Sequence, residues 1–316
     1  DAKKRVLRMI GDPETRYRED PVRIVRVVRF AAKLGFEIEP KTREPLRDMA
    51  ELLSNVPQSR LFDEMLKLLQ TGHASASLEQ LRKQGLDKGV FQILDAVFDE
   101  VRRHPGRDQF VKLALDDTDR RVAEGKSVAP SFLLACLLWH DVLDLWKRNQ
   151  AQGEPTFPAL QSATEAVFDA RIGDISGRGK LAADMREIWT MQPRFERRIG
   201  NAPLSLVEQP RFRAGFDFLR LRAQAGEADA ELARWWEAFS LADHDERKDL
   251  LEAARKQEAG KRQPRASTPA AARGAPSTGD ADTGPDDVAA PAKKRRRRRR
   301  KPAGEGAGAT SGGAAE

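Results

Sequence analysis

Residues 16–30 read Arg-Tyr-Arg-Glu-Asp-Pro-Val-Arg-Ile-Val-Arg-Val-Val-Arg-Phe, a run in which acids give way to regularly spaced arginines. Asp20 suits the N-cap of a helix and Pro21 its first position, because the missing proline N–H has no intrahelical partner there. Residues three and four apart share a helical face, so Asp20, Arg23 and Arg26 are predicted to project together. A carboxylate beside a guanidinium matches the edge of a nucleobase, which predicts a nucleotide-recognition element.

The same run also has a purely structural interpretation. Acids in the first turn of a helix complement its macrodipole, and arginines three residues further on pair with them in any capped, exposed helix. In either case Val22, Val25, Val28 and Phe30 are expected to supply apolar surface. The spacing alone leaves both interpretations open.

Residues 8–36, which include Gly-Asp-Pro ahead of the acids, resemble the neck of the family of bacterial poly(A) polymerases and CCA-adding nucleotidyltransferases. The resemblance is dense over about the first 70 residues and is strongest to the poly(A) polymerase branch. The family motif Glu-Asp-x-x-Arg reads the base of the incoming nucleotide through its Asp and Arg. These two residues correspond to Asp20 and Arg23 in this chain.

The resemblance implies roles for the neighbouring charged residues as well. Glu19 and Arg26 would hold the reading pair in place, and Arg16 or Arg18 would reach the triphosphate. These four residues, together with the reading pair, form the expected nucleotide-binding group.

A second family motif, an Arg and a Glu on the next neck helix, is similar to Arg60 and Glu64. By resemblance, these two residues would brace the reading helix. The segment around them repeats apolar residues with a helical period, so both are expected on one helix.

The resemblance implies template-independent addition of AMP from ATP to RNA 3′ ends, with attack by the 3′ hydroxyl on the α-phosphate. The family's Mg²⁺ ligands lie upstream, in a strand-rich head with a Gly-Ser motif and an Asp-x-Asp pair, and this sequence is expected to begin after them. Asp280 and Asp282 have the Asp-x-Asp spacing, but no strand is predicted there to place metal ligands rigidly. We therefore assign no catalytic or metal-binding residue, and expect the chain alone to be inactive.

The apolar residues recur with a helical period almost throughout, and sustained period-two alternation is absent, which predicts an all-α protein. The predicted helices cover residues 21–35, 42–53, 61–69, 77–84, 90–103, 108–124, 130–148, 158–171, 179–191, 210–225 and 228–241. We expect a neck of nucleotide-base and RNA-binding helices at residues 1–72, and a helical body with a C-terminal RNA-binding region at 73–259.

Residues 260–316 are expected to form a disordered, arginine-rich tail, because they hold too few large apolar side chains to offset chain entropy. The formal net charge is +7, and one run contributes nine positive charges, so the rest of the chain sums to −2. The run consists of Lys293, Lys294, Arg295, Arg296, Arg297, Arg298, Arg299, Arg300 and Lys301. Adjacent like charges favour an anionic partner, which predicts RNA binding. A solubilising or basic address sequence is the alternative.

The chain contains one cysteine, Cys136, which is expected to be buried and excludes an intramolecular disulfide, as in a reducing cytoplasm. No apolar stretch approaches the roughly 20 residues that span a bilayer. The chain opens without a secretory signal, so we expect a cytoplasmic protein with no membrane partner. The expected partners are RNA 3′ ends and RNA-decay proteins.

Two further motifs contain residue types that bind metals or nucleic acids in other proteins. His140-Asp141 is the dipeptide that metal phosphohydrolases place on a helix, but no second His and Asp in a matching pattern accompany it, which favours a solvent-facing helix end. Trp235-Trp236 beside Arg234, and the aromatics of residues 211–222, favour core packing over stacking on RNA. Two other functions stay open: a CCA-adding enzyme, and a helical RNA-binding protein without catalytic activity.

Overall fold

The computed structural model describes residues 1–104, 107–172 and 179–262. Within them lie two short 3-10 helices, Ala2–Lys4 and Ala50–Asn55, and two strands, β1 (Val6–Leu7) and β2 (Glu37–Ile38). The α-helices are α1 (Pro13–Glu19), α2 (Val22–Leu34), α3 (Pro40–Arg43), α4 (Pro45–Asp48), α5 (Gln58–Leu69), α6 (Ala74–Lys83), α7 (Gln92–Arg103), α8 (Asp108–Ala123), α9 (Pro130–Leu137), α10 (Trp139–Ala151), α11 (Thr156–Arg171), α12 (Gly179–Phe195), α13 (Ala202–Val207), α14 (Phe212–Gln224), α15 (Ala230–Leu241) and α16 (His244–Arg262). The all-α prediction is confirmed.

Several predicted boundaries are wrong. The helix expected over residues 42–53 is broken into α3, α4 and the second 3-10 helix, because Pro45 has no N–H to continue α3. The helix expected over residues 130–148 is two helices, separated at Leu138. The sequence prediction omitted α1 and α13, which are too short to show a period, and α16, where few side chains are buried.

The two strands pair in parallel and frame the N-terminal helices. Thr42 ties this region together: its hydroxyl accepts the Met9 N–H at 3.0 Å, and its backbone carbonyl accepts the Tyr17 hydroxyl at 2.8 Å. Glu39 caps α3 by accepting the Thr42 N–H at 2.9 Å. These bonds fix α1 and the start of α3 against the strand pair.

One hydrophobic core takes in buried side chains from Tyr17 to Leu221. The side chains of α2 that enter it are Val22, Ile24, Val25, Val27, Val28 and Ala31. Those of α5 are Leu61, Phe62, Met65, Leu68 and Leu69. The apolar stripes of α2 and α5 therefore lock the two helices into one packed unit, which leaves their charged faces in fixed relative positions.

A second core lies among α12, α14 and α15 around Trp236, which is fully buried and donates its indole N–H to the Phe195 carbonyl at 2.7 Å. Phe216 and Phe218 are buried as well. The prediction of core packing is confirmed for Trp236 and Phe216 in this core and for Phe218 in the first core, whereas Trp235 is only partly buried. The predicted burial of Cys136 is confirmed.

His140 does not face solvent, so that prediction is wrong. Its ring is only 3% exposed, its Nε2 lies 2.6 Å from Oε1 of Glu227, and its edge packs against Phe110. Asp141 is held by Arg171 at 2.8 Å. Glu227 and Arg171 are distant from His140 and Asp141 along the chain, so the local sequence could not show these contacts. Among the described residues no three His, Cys, Asp or Glu side chains lie together as a metal site would require.

The described residues contain no helix long and apolar enough to cross a membrane. The basic run at residues 293–301 and the Asp280-Ala-Asp282 triplet lie outside the described residues. The division of the chain into neck, body and tail stays a prediction.

Candidate functional site

Asp20 lies at the corner between α1 and α2. Asp12 caps α1 by accepting the Thr15 N–H at 2.8 Å, and the helix ends at Glu19. Asp20 then adopts extended backbone angles, φ −147° and ψ 91°, as expected for a residue that precedes a proline. The carboxylate of Asp20 therefore lies at a turn between two helices.

The prediction that the Asp20 side chain caps α2 is wrong. Its backbone carbonyl accepts the Arg23 N–H at 3.0 Å, but the carboxylate accepts no N–H of α2 in the described part of the chain. The reason is a competing partner, because Arg60 of α5 occupies the carboxylate.

Two guanidinium groups flank the Asp20 carboxylate. Nη2 of Arg60 lies 2.9 Å from Oδ1 and donates to Oδ2 at 3.1 Å, while Nε of Arg23 lies 3.9 Å from Oδ2. The Asp20 side chain is 19% exposed. Nε of Arg23 is buried and has no hydrogen-bond partner within the described structure. Arg23 thus retains an N–H donor that no described residue uses. Asp20, Arg23 and Arg60 together carry a net charge of +1.

Glu64 forms the second charged centre, one helical turn beyond Arg60. Its side chain is 2% exposed and lies 3.0 Å from Lys67 Nζ and 3.4 Å from Nη2 of both Arg26 and Arg29. Burial alone would raise the pKa of Glu64, but the hydrogen bond from Lys67 and the neighbouring positive charges outweigh it and hold the pKa below its ordinary value. Glu64 is therefore a buried carboxylate with three cationic neighbours.

The structure brings the two predicted supporting residues against α2. Arg60 and Glu64 lie on the same face of α5, and one contacts Asp20 while the other contacts Arg26 and Arg29. Their contribution to nucleotide reading stays a prediction.

The other predicted nucleotide-binding residues have different neighbours. Glu19 lies 2.7 Å from Arg16 within α1, and Arg26 lies 3.4 Å from Glu64. The expected role of Glu19 and Arg26 in holding the reading pair stays a prediction. Residues three apart on α1 share a face, which explains the Glu19–Arg16 pair. Arg18 pairs with Glu14 at 3.3 Å and is well exposed.

A cavity of about 260 Å³ opens beside Arg23 and Arg26 of α2. It is lined by Leu7, Arg8, Met9, Arg23, Arg26, Val27 and Phe30. An apolar surface with arginines at its edge suits a flat aromatic ring attached to an anionic group. Phe30, which was expected to add to the apolar surface, is 39% exposed and lies 4.4 Å beneath the Arg29 guanidinium rather than in the core.

Sequence reasoning missed Arg29, Lys67 and Arg8. Arg29 lies three residues after Arg26, and Lys67 three after Glu64, so helical spacing could have found both. Arg8 lies in the loop after β1, where no periodic signal marks it.

Comparison with known proteins gives two family matches. The model described as "Polymerase A arginine-rich C-terminus" matches residues 152–302, and the model described as "Probable RNA and SrmB- binding site of polymerase A" matches residues 35–98. Both descriptions name the same enzyme, and together they cover most of the helical chain and the basic run.

Individual relatives agree with these matches. Poly(A) polymerase I of Salmonella typhi is 39% identical over 255 residues, which is 79% of this chain and 54% of the relative. Poly(A) polymerase I of Haemophilus influenzae is 38% identical over 80% of this chain and 56% of the relative. A CCA-adding enzyme of Leuconostoc mesenteroides is 46% identical over 79 residues, which is 25% of this chain and 20% of that enzyme.

These relatives are nucleotidyltransferases, and they define the class. Within it the chain belongs to the family of poly(A) polymerases and CCA-adding enzymes, as the resemblance in its neck predicted. The chain spans about half the length of the poly(A) polymerases that it matches.

Proposed function

We propose that this chain supplies base selection and RNA binding for the addition of AMP from ATP to RNA 3′ ends. The observation that carries the proposal is the position of Arg23 beside Asp20, whose carboxylate also binds Arg60. Asp20 would accept from the exocyclic amine of adenine, and Arg23 would donate to a ring nitrogen. The buried Nε of Arg23, which lacks a protein acceptor in the described structure, supports a donor role toward a ligand.

Arg60 and Glu64 would act as positioning residues. Arg60 orients the acceptor, and Glu64 fixes the arginine face of α2 through Arg26 and Arg29. Arg16 and Arg18, on the preceding helix, would contribute positive charge toward the triphosphate.

The extent of the matches favours polyadenylation over CCA addition. The relatives named poly(A) polymerase I align over about four-fifths of this chain, whereas the CCA-adding enzymes align over about one quarter. A CCA-adding enzyme uses the same Asp and Arg for CTP and ATP, so the motif itself does not separate the two activities. The match of residues 152–302 to an arginine-rich polymerase C-terminus adds to the distinction.

Other parts of the proposal concern the whole enzyme. ATP is the proposed substrate and Mg²⁺ the proposed metal, with no described residue assigned as its ligand. A cytoplasmic location, RNA-decay proteins as partners, and inactivity of the chain alone also stay proposals.

The test supplies the whole enzyme that contains this chain with ATP or CTP on two RNAs, a primer unrelated to tRNA and a tRNA. We expect AMP tails of increasing length from ATP and little incorporation from CTP. Activity confined to tRNA, with incorporation of both CMP and AMP, would support CCA addition instead. No incorporation from either nucleotide would favour a non-catalytic RNA-binding protein.

A further inference from the structure

The arginines that line the cavity beside Arg23 differ in the carboxylates that accompany them. The lining contains three arginines, Arg8, Arg23 and Arg26, and no acid. Arg23 lies beside Asp20, whose side chain is 19% exposed, and Arg26 lies beside Glu64, whose side chain is 2% exposed. Two of the three arginines therefore already have a carboxylate partner that is largely shielded from solvent.

Arg8 is the third arginine, and its carboxylate partner is exposed. Nε of Arg8 lies 3.3 Å from Oδ2 of Asp1, and the two side chains are 55% and 50% exposed. Ion pairs between solvent-exposed groups are weak, because water and salt screen the attraction. No described residue accepts a hydrogen bond from the Arg8 guanidinium. Arg8 can therefore exchange Asp1 for an anionic ligand with little loss.

The backbone on both sides of Arg8 is fixed. Leu7 belongs to β1, and its carbonyl accepts the Glu39 N–H at 2.9 Å. Met9 donates its N–H to Oγ1 of Thr42 at 3.0 Å. A side chain on a rigid backbone loses less conformational entropy on binding than one in a mobile loop. These two hydrogen bonds therefore present Arg8 at the cavity wall in a defined position.

The two arginines that the family resemblance assigned to the triphosphate have carboxylate partners on their own helix. Nη1 of Arg16 lies 2.7 Å from Oε2 of Glu19, and Nη2 of Arg18 lies 3.3 Å from Oε2 of Glu14. Neither arginine lines the cavity. Arg16 and Arg18 add positive charge to the corner, whereas Arg8 is part of the cavity wall itself. A direct contact with a ligand in the cavity is therefore open to Arg8 and not to these two residues.

The base and the phosphates of a nucleotide need different partners. A base presents a neutral polar edge, which a carboxylate and a guanidinium match together, as Asp20 and Arg23 would do. A phosphate is anionic, and a guanidinium binds it best through two parallel N–H groups that no buried carboxylate competes for. Among the arginines on the cavity wall, Arg8 meets this condition.

We propose that Arg8 binds a phosphate of the incoming nucleotide and is thus a further binding residue for nucleotide addition. This inference rests on the proposed function, in which Asp20 and Arg23 read the base. The phosphates are the same in every nucleoside triphosphate. Arg8 therefore contributes affinity for the nucleotide but no preference for one base.

The test uses the whole enzyme that contains this chain and measures kcat/KM for ATP and for CTP on the same RNA primer. Arg8→Gln should lower kcat/KM about ten-fold for both nucleotides, the effect of one charge-assisted hydrogen bond, and leave their ratio unchanged. Arg8→Lys keeps the charge without the paired N–H groups and should recover part of the loss. The control is Arg148→Gln, an exposed residue of α10, which should stay close to the unmodified enzyme.

Competitive inhibition separates a phosphate contact from a structural role of Arg8. The two inhibitors are adenosine and α,β-methylene-ATP, which carries three phosphates but cannot release pyrophosphate. Arg8→Gln should weaken inhibition by the analogue about ten-fold and leave inhibition by adenosine unchanged, because adenosine has no phosphate. Equal weakening of both inhibitors would show that Arg8 only maintains the shape of the cavity. A larger loss of analogue binding in Arg18→Gln than in Arg8→Gln would also overturn the proposal.

Failure of this inference is distinguishable from failure of the proposed function. No incorporation of nucleotide by the unmodified enzyme would overturn the proposed function and the role of Arg8 with it. Normal incorporation together with unchanged analogue binding in Arg8→Gln would overturn the role of Arg8 alone. Circular dichroism checks folding of the variants. If Arg8→Gln does not fold, Arg8→Lys decides, because it should bind the analogue more weakly than the unmodified enzyme does and adenosine equally well.

Discussion

Nη2 of Arg60 lies 2.9 Å from Oδ1 of Asp20, and the two residues are 40 positions apart in the chain. The contact joins α5 to the corner between α1 and α2. Glu64, on the same face of α5, makes a second contact with Arg26 and Arg29. In this contact α5 supplies the negative charge and α2 the positive charges. Helix α2 and the corner that precedes it are therefore held at two points, by a cation and an anion from one neighbouring helix.

Replacing Glu64 with alanine should lower the free energy of unfolding by about 3 kcal/mol, because it leaves three cations around a buried site without their counter-charge. Urea unfolding measures the change. The matched control is Glu165→Ala, which removes a half-exposed carboxylate bound to Arg186 at 2.8 Å and should cost about 1 kcal/mol or less. Equal losses in the two variants would contradict the role given to Glu64.

The lowered pKa of Glu64 predicts a pH dependence of stability. A carboxyl whose pKa is lower in the folded state contributes stability that is present above its ordinary value of 4.5 and is lost as the pH falls through the folded-state pKa. We expect the free energy of unfolding to fall on acidification below that value, and to fall less in Glu64→Gln. Unfolding curves between neutral and acidic pH compare the two proteins, and identical pH dependence would show that Glu64 contributes nothing to it.

The sequence predicted α2 well, because a continuous valine stripe and Gly35 mark its face and its end. It also identified Arg60 and Glu64 through the family motif. It misjudged Asp20, whose local pattern is that of a helix cap but whose carboxylate is taken by Arg60 of α5. The prediction that His140 faces solvent failed for the same reason, since its partner Glu227 comes from another part of the chain. Local periodicity does not show which residues from distant parts of the chain will pair with a given side chain.

The turn at Leu138 also escaped prediction. The apolar run from Phe132 to Trp139 has no glycine or proline to mark a break, and both sides of it are buried. A hydrophobic pattern shows which residues enter a core, but not where a fully buried helix changes direction.

The basic run Lys293–Lys301 is expected to add affinity for RNA without sequence preference, since phosphates are uniform along a strand. Deleting the chain from Lys293 onward should weaken binding about equally for different single strands. It should also flatten the slope of log K against log salt by about 3 to 6 units, for roughly four to nine lost contacts. An unchanged slope would indicate that the run does not bind RNA.

Whether Asp20 and Arg23 read the base is tested most directly by kcat/KM for ATP and for CTP in the whole enzyme that contains this chain. Asp20→Ala and Arg23→Ala should each reduce the preference for ATP by about 1–3 kcal/mol, which is the contribution of a good base-edge contact. Arg60→Ala should lower kcat/KM for both nucleotides and change their ratio less, because Arg60 positions Asp20 without contacting the base. Glu165→Ala serves as the remote control. An ATP preference that survives both Asp20→Ala and Arg23→Ala would contradict base reading and leave Asp20 with only a structural contact to Arg60.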